Sequence, residues 1–443
     1  MSETLRPATE LAGPRPALGT ERIETLDVIR GVALFGILLM NIAAFGMPMF
    51  AYADPSTYGG AEGADLGAWI TMTLLFEGTM RGMFSLLFGA GAVLLLSRME
   101  SRGLGITAAD IYYRRNLWLI LFGFVHGYLM LWFGDILWMY GIVGLFLFPL
   151  RNLRSTSLLA LGLAMLAALA TWNLVDNLRA QALWQEVQEV RAAEAEGTEL
   201  DEEQQATLDA WNELTAHRKP TEDMLEADLA AHRGSYFDLL AYNAGQLAWW
   251  HTWGFYRWGF LDVFGMMLIG MALMKAGFLT LRRRRRDYWL MVLIGYGVGL
   301  AINQHEIRVL LAEGFAVPAW YQAEATYDMG RLAMTTGHVG TLLLLCRSGW
   351  LHRLLDALAA VGRMALTNYL VHTVLCVLVF SGFGLGLYGE LQRHQLYYVV
   401  GSIWLLQLVV SPLWLKHFRF GPAEWLWRSL TYRKRQPMRR ATA

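Results

Sequence analysis

Long apolar runs are the feature that most constrains the fold of this chain. Residues 25–46, TLDVIRGVALFGILLMNIAAFG, form the first of several runs of roughly 18–25 mostly apolar residues, the length that crosses a bilayer as a helix. Hydrophobic residues make up 55% of the sequence and charged residues only 17%, against about 25% charged residues in soluble domains. Backbone polar groups in hydrocarbon must be satisfied within helices, and the runs are too long for strands of a membrane barrel. The sequence therefore predicts an all-α, polytopic membrane helix bundle.

Hydropathy and loop charge together predict about ten transmembrane helices. Lys and Arg concentrate in alternate connections, such as the run 282–286 and the tail YRKRQPMRR, while the intervening connections are acidic or neutral. Because cytoplasmic loops carry the excess of Lys and Arg, this alternation predicts that both termini are cytoplasmic. The predicted spans are 26–48, 67–97, 112–133, 135–150, 156–175, 236–275, 288–306, 327–346, 357–381 and 396–416.

An acidic segment divides these spans into two groups. Residues 176–235 contain fifteen Asp or Glu and predict one or two amphipathic or solvated helices outside the membrane. The polar first 25 residues do not resemble a cleavable signal peptide, so the first span is expected to direct insertion. The predicted order is a cytoplasmic tail, a bundle of about five spans, the extracytoplasmic insert, a second bundle of about five spans and a basic cytoplasmic tail, at 1–25, 26–175, 176–235, 236–416 and 417–443.

Composition argues against several classes of function. The formal net charge is zero, so we expect no nucleic-acid partner. Cys346 and Cys376 lie in apolar runs and predict neither a disulfide framework nor a metal motif. No pair of histidines has metal-ligand spacing, so we expect no metal and no bound cofactor.

Ionisable side chains within the apolar runs are the main candidates for function, because such groups are costly at membrane depth. In FGFVHGYLMLWFGDILWMYG, His126 near Asp135 could act as a general base. The alternative is a histidine hydrogen-bonded within the bundle, with Asp135 capping the next helix. The tryptophans and glycines around the pair favour a cavity.

Two further runs carry candidate ligand-binding arginines. Glu77 and Arg81 are four residues apart and are expected to pair, and Arg81 could also hold a phosphate or carboxylate. In WWHTWGFYRWGFLDVFG, aromatic residues fit an interfacial belt, but Arg257 continues into the apolar run and could contact a headgroup or acyl substrate. A structural ion pair that fixes helix packing is the alternative for Glu77 and Arg81.

Two late helices each carry a polar stripe. Asp328, Arg331, Thr335 and His338 follow one face of the first, and Arg363, Thr367, Asn368 and His372 recur at similar spacing on the second. The simplest arrangement turns both stripes toward one cavity, with separate structural hydrogen bonds as the alternative.

Several motifs together resemble the YeiB-like bacterial membrane proteins, which are catalogued largely as a domain of unknown function. They are LDVIRGVALFGILLMN, MFSLLFGAGAVLLL, the FGFVHGYL…GDIL hairpin, GRMALTNYL and the closing FGPAEWLWRSLTY. The resemblance covers nearly the whole chain and implies a multi-pass protein of the bacterial cytoplasmic (inner) membrane.

That family is similar, at lower strength, to transmembrane acyltransferases such as heparan-α-glucosaminide N-acetyltransferase, which take acetyl groups from cytosolic acetyl-CoA. The match of Asp27, Arg30, Gly31 and Asn41 carries this likeness and implies that Asn41 belongs to a catalytic site. The catalytic histidine of those enzymes lies in the loop after the first span. This chain has no histidine there, so His126 would have to replace it.

The resemblance implies an acyltransferase that uses acyl-CoA as a co-substrate. The thioester would bind near Arg30, Arg114 or Arg115, His126 oriented by Asp135 would deprotonate the acceptor, and Asn41 would stabilise the oxyanion.

Two other classes of function stay open. A transporter of a small or amphipathic solute would bind its cargo at Asp328, Arg331, His338, Asn368 and His372. A lipid-binding protein would enclose membrane lipids between its helices. A homodimer is expected for any of the three.

Overall fold

A computed structural model describes residues 23–197, 199–216 and 218–440. Within these ranges the chain is helical, and the β-type pairing is one isolated bridge between Phe418 and Arg439. The all-α expectation is therefore confirmed.

The helices that precede the second π-helical segment begin with the first apolar stretch. They are α1 Glu24–Gly46, α2 Phe50–Ala53, α3 Gly63–Leu75, α4 Thr79–Ser101, α5 Ile106–Phe124, α6 Leu137–Leu150, α7 Ser155–Ala195, α8 Glu202–Thr215, α9 Glu222–Arg233 and α10 Tyr236–Trp249. The first π-helical segment, Val125–Leu129, extends α5.

The second π-helical segment, Trp250–Gly259, joins α10 to the later helices. These are α11 Phe260–Lys275, α12 Arg285–Ala312, α13 Val317–Glu324, α14 Tyr327–Ser348, α15 His352–Arg363, α16 Ala365–Phe380, α17 Arg393–His417 and α18 Pro422–Tyr432.

Within the described ranges, five helical stretches are long and apolar enough to cross a membrane, or six if one bent pair counts as a span. They are Glu24–Gly46, Gly63–Ser101, Ser155–Ala195, Tyr236–Lys275 and Arg393–His417, with the pair α15 and α16 as the sixth. The helix Leu137–Leu150 is apolar but shorter. The chain is thus a helical membrane protein, while ten spans, cytoplasmic termini and the five-part division remain predictions.

The two longest predicted spans, 67–97 and 236–275, are both interrupted. Phe76–Gly78 separates α3 from α4, and Gly78 has a φ of 66°, a conformation that favours glycine. The wide turns of Trp250–Gly259 separate α10 from α11. A third break comes at Met364, where α15 and α16 bend by 82°.

Helix α7 runs without a break through the boundary predicted at residue 175. Its apolar first half packs on α11, and its polar second half contacts α8 and α13. There Trp184, Trp211 and Tyr321 form a small aromatic cluster with Val187. The insert is therefore anchored on a continuation of an apolar helix.

Glycines bring two pairs of helices into backbone contact. A Cβ added at Gly89 would lie 1.9 Å from the Met267 carbonyl oxygen, and one at Gly270 would lie 1.9 Å from the Leu86 oxygen, so α4 and α11 touch. Gly31 and Gly362 do the same between α1 and α15. Such close approach is typical of membrane helix pairs.

Candidate functional site

An elongated cavity of about 260 Å³ lies between α1, α4, α5, α6, α15, α16 and α18. Along α4 its walls extend from Arg98 to Phe84, which is about 21 Å at 1.5 Å per helical residue. One end is lined by charged side chains and the other by aromatic and aliphatic ones. The cavity is therefore amphipathic along its length.

The charged end is strongly basic. Five arginines and two carboxylates line it, namely Arg30, Arg98, Arg115, Arg363 and Arg428 with Asp27 and Glu424. Asp27 is held by Arg30 at 2.8 Å. The Nε of Arg363 is buried and has no hydrogen-bond partner among the described residues. The excess of guanidinium groups favours an anionic ligand, with phosphate and carboxylate as the groups that Arg recognises best.

The C-terminal helix α18 closes this end of the cavity. Buried Glu424 accepts hydrogen bonds from the backbone N–H groups of Leu366 and Thr367, at 2.6 and 3.1 Å, and from the Thr367 hydroxyl at 2.6 Å. A carboxylate at a helix N-terminus is favoured because it satisfies unpaired N–H groups there. Glu424 therefore fastens α18 to the start of α16, just after the bend.

Two residues of α18 contribute to the basic wall. The Arg115 guanidinium lies 3.5 Å from the centre of the Trp427 ring, a cation–π contact that orients it. Burial lowers the pKa of Arg428, because the charged form loses hydration. An anion bound beside Arg428 would offset that loss.

The inner end of the cavity is formed by Phe84, Ile136, Leu137, Tyr140 and Tyr369. These side chains offer apolar surface for a tail of the ligand. The Tyr369 hydroxyl reaches the Gly134 carbonyl only at 3.5 Å. The ring of Tyr369, which is 3% exposed, thus forms a buried wall of the cavity.

Directly behind that wall lies a buried hydrogen-bonded triad of Asp135, His126 and Thr373. The Nδ1 of His126 is 2.7 Å from Asp135 Oδ1, and its Nε2 is 2.7 Å from Thr373 Oγ1. Asp135 also accepts from the N–H groups of Leu137 and Trp138 at the start of α6. Each member of the triad is at most 2% exposed, and the His126 and Tyr369 rings are 4.8 Å apart.

The sequence predicted the proximity of His126 and Asp135, and both readings of Asp135 fit what is observed, since it contacts the histidine and caps α6. Thr373 was missed. Its signal was weak, because a threonine in an apolar helix commonly bonds its own backbone.

A second polar cluster lies at another place in the bundle and does not line the cavity. The Asp262 carboxylate forms ion pairs with the guanidinium groups of Arg331, at 2.7 Å, and Arg81, at 3.2 Å. Arg331 also forms an ion pair with Asp328 at 3.0 Å. Asn173 donates to Asp328 at 3.0 Å. Four helices, α4, α7, α11 and α14, are joined by these contacts.

The pairing expected between Glu77 and Arg81 is not observed. Glu77 instead accepts hydrogen bonds from the Tyr52 and Tyr327 hydroxyls, at 2.5 and 3.1 Å. The break before Thr79 takes Glu77 off the helix that carries Arg81, so helical spacing no longer relates the two. Asp262 supplies the carboxylate in its place.

Arg257 extends this cluster toward the insert. Its guanidinium pairs with Asp176 and donates to Asn173 at 3.4 Å. It also lies 4.1 Å from the centre of the Trp172 ring. The observed partners of Arg257 are therefore protein groups on α7.

The two polar stripes do not meet in one cavity. His338 bonds the Tyr296 hydroxyl and the Leu75 carbonyl, at 2.8 and 2.7 Å. Asn368 donates to Ser411 and to the Val361 carbonyl, and His372 bonds Gln407 at 2.9 Å. These residues therefore belong to three separate clusters: Asp328 with Arg331, His338, and Asn368 with His372.

The remaining predicted site residues are divided between the cavity and its surroundings. Arg30 and Arg115 line the cavity, whereas Arg114 donates to Asp110 and to the Thr431 carbonyl and holds α18 in place. Asn41 is half-buried, outside the cavity lining, and without a hydrogen bond to any described residue. His126 also lies outside the lining.

Comparison with known proteins places the chain in a family. A curated relative, "Uncharacterized protein YeiB" of Escherichia coli (strain K12), is 33% identical over 94% of this chain and 98% of its own length. This chain belongs to the YeiB-like family. "Uncharacterized protein YxaH" of Bacillus subtilis (strain 168) is 29% identical over 97% of this chain and 98% of its own length.

A family model described as "Protein of unknown function (DUF418)" matches residues 273–434. No solved structure matches the chain. The matched segment of this YeiB-like protein includes Arg363, Tyr369 and Glu424 on the cavity wall, together with Thr373, while Arg30 and Arg115 lie outside it.

Proposed function

We propose that this YeiB-like protein is a membrane acyltransferase that binds an acyl thioester in the arginine-lined cavity. The observation that carries the proposal is the form of the cavity, with five arginines at one end and apolar rings at the other. The phosphates of acyl-CoA suit the guanidinium groups, and an acyl chain suits the inner wall. The inner wall lies against the ring of His126, the expected general base.

The orientation of the protein is part of the proposal. Ten crossings and cytoplasmic termini are inferred from the apolar runs and from the alternation of Lys and Arg between connections. A bacterial inner-membrane location is inferred from the likeness to bacterial relatives. Arg98, Arg115 and Arg428 would then face the cytoplasm, where acyl-CoA is found. The lipids of the surrounding membrane and a second copy of the chain complete the proposed partners.

Binding of acyl-CoA to the purified full chain in lipid nanodiscs tests the proposal. Palmitoyl-CoA should bind, and Arg363→Gln and Arg428→Gln should each weaken it about 10-fold or more, because a hydrogen bond to a charged group contributes about 1.5–3 kcal/mol. Arg286→Gln is the matched control, since it removes an exposed arginine outside the cavity. Equal affinities for all four proteins would contradict the proposal.

Transfer is measured in the same nanodiscs as release of free CoA in the presence of membrane lipid or added sugar acceptors. Asp135→Asn should lower the rate about 100-fold or more, because general-base catalysis supplies about 10²–10⁴. If native mass spectrometry finds a tightly held anionic lipid and no CoA is released, the lipid-binding alternative is favoured instead.

Transport is a second candidate, and the cluster of Arg81, Asp262 and Arg331 favours it. Charged groups at membrane depth mark solute pathways in many carriers. Flux of a labelled solute into proteoliposomes that is lost in Arg331→Ala would support this function, and CoA release without flux would oppose it.

A further inference from the structure

We propose that Thr373 is a nucleophile that carries the acyl group as an ester during transfer, an inference that rests on the proposed acyltransferase function. The structural basis is the triad of Asp135, His126 and Thr373, in which the two heavy-atom distances are both 2.7 Å. Nothing in the sequence assigned Thr373 a role.

The hydrogen bonds of the triad suit transfer of the Thr373 hydroxyl proton to His126. Asp135 accepts at Oδ1 in the tautomer of His126 that carries its proton on Nδ1, the form in which a general base acts. Nε2 is then a lone-pair acceptor, and the Thr373 hydroxyl donates to it. This order of carboxylate, imidazole and hydroxyl is the one that activates serine and threonine nucleophiles on unrelated folds.

Thr373 differs from Thr336 and Thr341, two other threonines in the membrane helices of this chain. Thr336 and Thr341 donate to the carbonyls of Leu332 and Gly337, one turn earlier in their own helix. That bond is the common way to satisfy a hydroxyl in a helix. Thr373 instead points away from its own backbone to His126 on another element.

The histidine is placed by an irregular segment. His126 lies in the π-helical turn Val125–Leu129, which ends α5, and single π-helical turns are frequent at functional sites. Asp135 is fixed by two backbone N–H groups at the start of α6. Base and carboxylate are therefore held rigidly, as general-base catalysis requires.

Tyr369 separates Thr373 from the cavity. It lies one helical turn before Thr373, lines the cavity, and tilts against the His126 ring. Its hydroxyl donates a long hydrogen bond, of 3.5 Å, to the Gly134 carbonyl. Rotation of this one side chain would admit a thioester carbonyl to Thr373 Oγ1.

The chemistry balances without an oxidant or a metal ion. Thr373 Oγ attacks the thioester carbonyl and loses its proton to His126 Nε2, the new C–O bond forms, the C–S bond breaks, and the thiolate takes the proton from Nε2. An acceptor hydroxyl then gives its proton to His126 and attacks the ester carbon. The C–O bond to Thr373 breaks, and Thr373 recovers the proton.

Covalent trapping tests this step. The full chain in nanodiscs is incubated with palmitoyl-CoA without acceptor, quenched in acid, and its peptides are analysed by mass spectrometry. We expect an added palmitoyl group on Thr373 that resists neutral hydroxylamine, which cleaves thioesters, and is removed by alkaline hydroxylamine, which cleaves oxyesters. Thr373→Ser should carry the group on the new hydroxyl, and Thr373→Val should carry none and transfer at least 100-fold more slowly with an unchanged Kd for palmitoyl-CoA. Thr341→Val is the control and should retain labelling.

The outcomes separate the two proposals. Transfer that survives in Thr373→Val, or a wild-type protein that transfers without any ester at Thr373, overturns the nucleophile and leaves the acyltransferase intact. A wild-type protein that neither binds palmitoyl-CoA nor releases CoA overturns both. If Thr373→Val fails to fold, the presence or absence of an ester in wild type and in Thr373→Ser decides the matter.

Discussion

Asp262 is the carboxylate on which the second polar cluster depends. It is 2% exposed and lies between the guanidinium groups of Arg81 and Arg331. Two cations that share one poorly hydrated site repel each other, and a negative charge between them offsets this repulsion. The cluster therefore fixes the relative positions of α4, α11 and α14.

Asp262→Asn should destabilise the fold by about 3–5 kcal/mol, because it removes the carboxylate that lies between two guanidinium groups and leaves the buried Arg331 paired with Asp328 alone. The measurement is chemical or thermal unfolding of the chain in detergent. Arg179→Gln is a suitable control, since it disrupts an ion pair with Asp176 at 3.9 Å in which Arg179 is 78% exposed. A melting temperature for Asp262→Asn equal to that of the control would contradict this role.

At the residue scale, the sequence could identify candidate polar groups but not their partners. The pair of His126 and Asp135 could be predicted because nine residues and one turn separate them. Asp262 as the partner of Arg81, and Thr373 as the partner of His126, could not, because these contacts join helices that are distant in sequence. Helical spacing relates only the residues on one helix.

The contact between α4 and α11 depends on two reciprocal glycines, Gly89 and Gly270. Any side chain at either position would meet a backbone carbonyl of the other helix at 1.9 Å. A backbone group cannot move aside as the end of a flexible side chain can. The helices would have to separate.

Gly89→Ala should destabilise the bundle by about 1–3 kcal/mol, the usual cost of overpacking. The matched control is Gly297→Ala in α12, where an added Cβ has no heavy atom within 4 Å. Unfolding in detergent measures both, and the control should equal or exceed wild type because alanine favours helix. Equal loss of stability in the two variants would show that helix contact is not the cause.

The attachment of the insert to the loop after α16 should depend on pH through His232. The ring stacks on Tyr388 at 3.9 Å, its Nδ1 contacts Asp228, and Tyr242 lies on its other side. Burial lowers the pKa of His232 below its ordinary value of 6.5. The unfolded chain therefore binds more protons than the folded chain below about pH 6.5, and stability falls as the pH drops through that range.

Hydrogen exchange of residues 222–233 between pH 7.5 and 5.5 measures this effect. Exchange, corrected for its intrinsic pH dependence, should become faster at the lower pH in wild type. His232→Gln should remove most of the change because glutamine does not titrate. A pH response that is unaltered in His232→Gln would point to another titrating group.

At the scale of elements, apolar runs in the sequence predicted the positions of helices better than the breaks within them. The span 357–381 reads as one helix, yet it bends by 82° after Arg363. The bend is stabilised by Glu424 from α18, which caps the new helix start. Such a cap comes from a distant part of the sequence, so local propensity cannot reveal it.

The cavity is assembled from both ends of the chain. Helix α1 supplies Asp27 and Arg30, and α18 supplies Glu424, Trp427 and Arg428. The basic tail that the sequence assigned to the cytoplasm thus contributes part of the candidate site. No single sequence motif contains the site, and this is why its outline could not be read from the sequence.

The orientation of the molecule decides whether the basic end of the cavity can meet a cytosolic thioester. In a background of Cys346→Ser and Cys376→Ser, single cysteines at exposed Lys434 and Asp201 report the two sides. In intact bacteria, a membrane-impermeant maleimide should label Asp201→Cys and not Lys434→Cys. After the membrane is permeabilised, both should be labelled to a similar extent. Labelling of Lys434→Cys in intact cells would place the arginines of the cavity on the outer side and exclude acyl-CoA from the cytoplasm as the ligand.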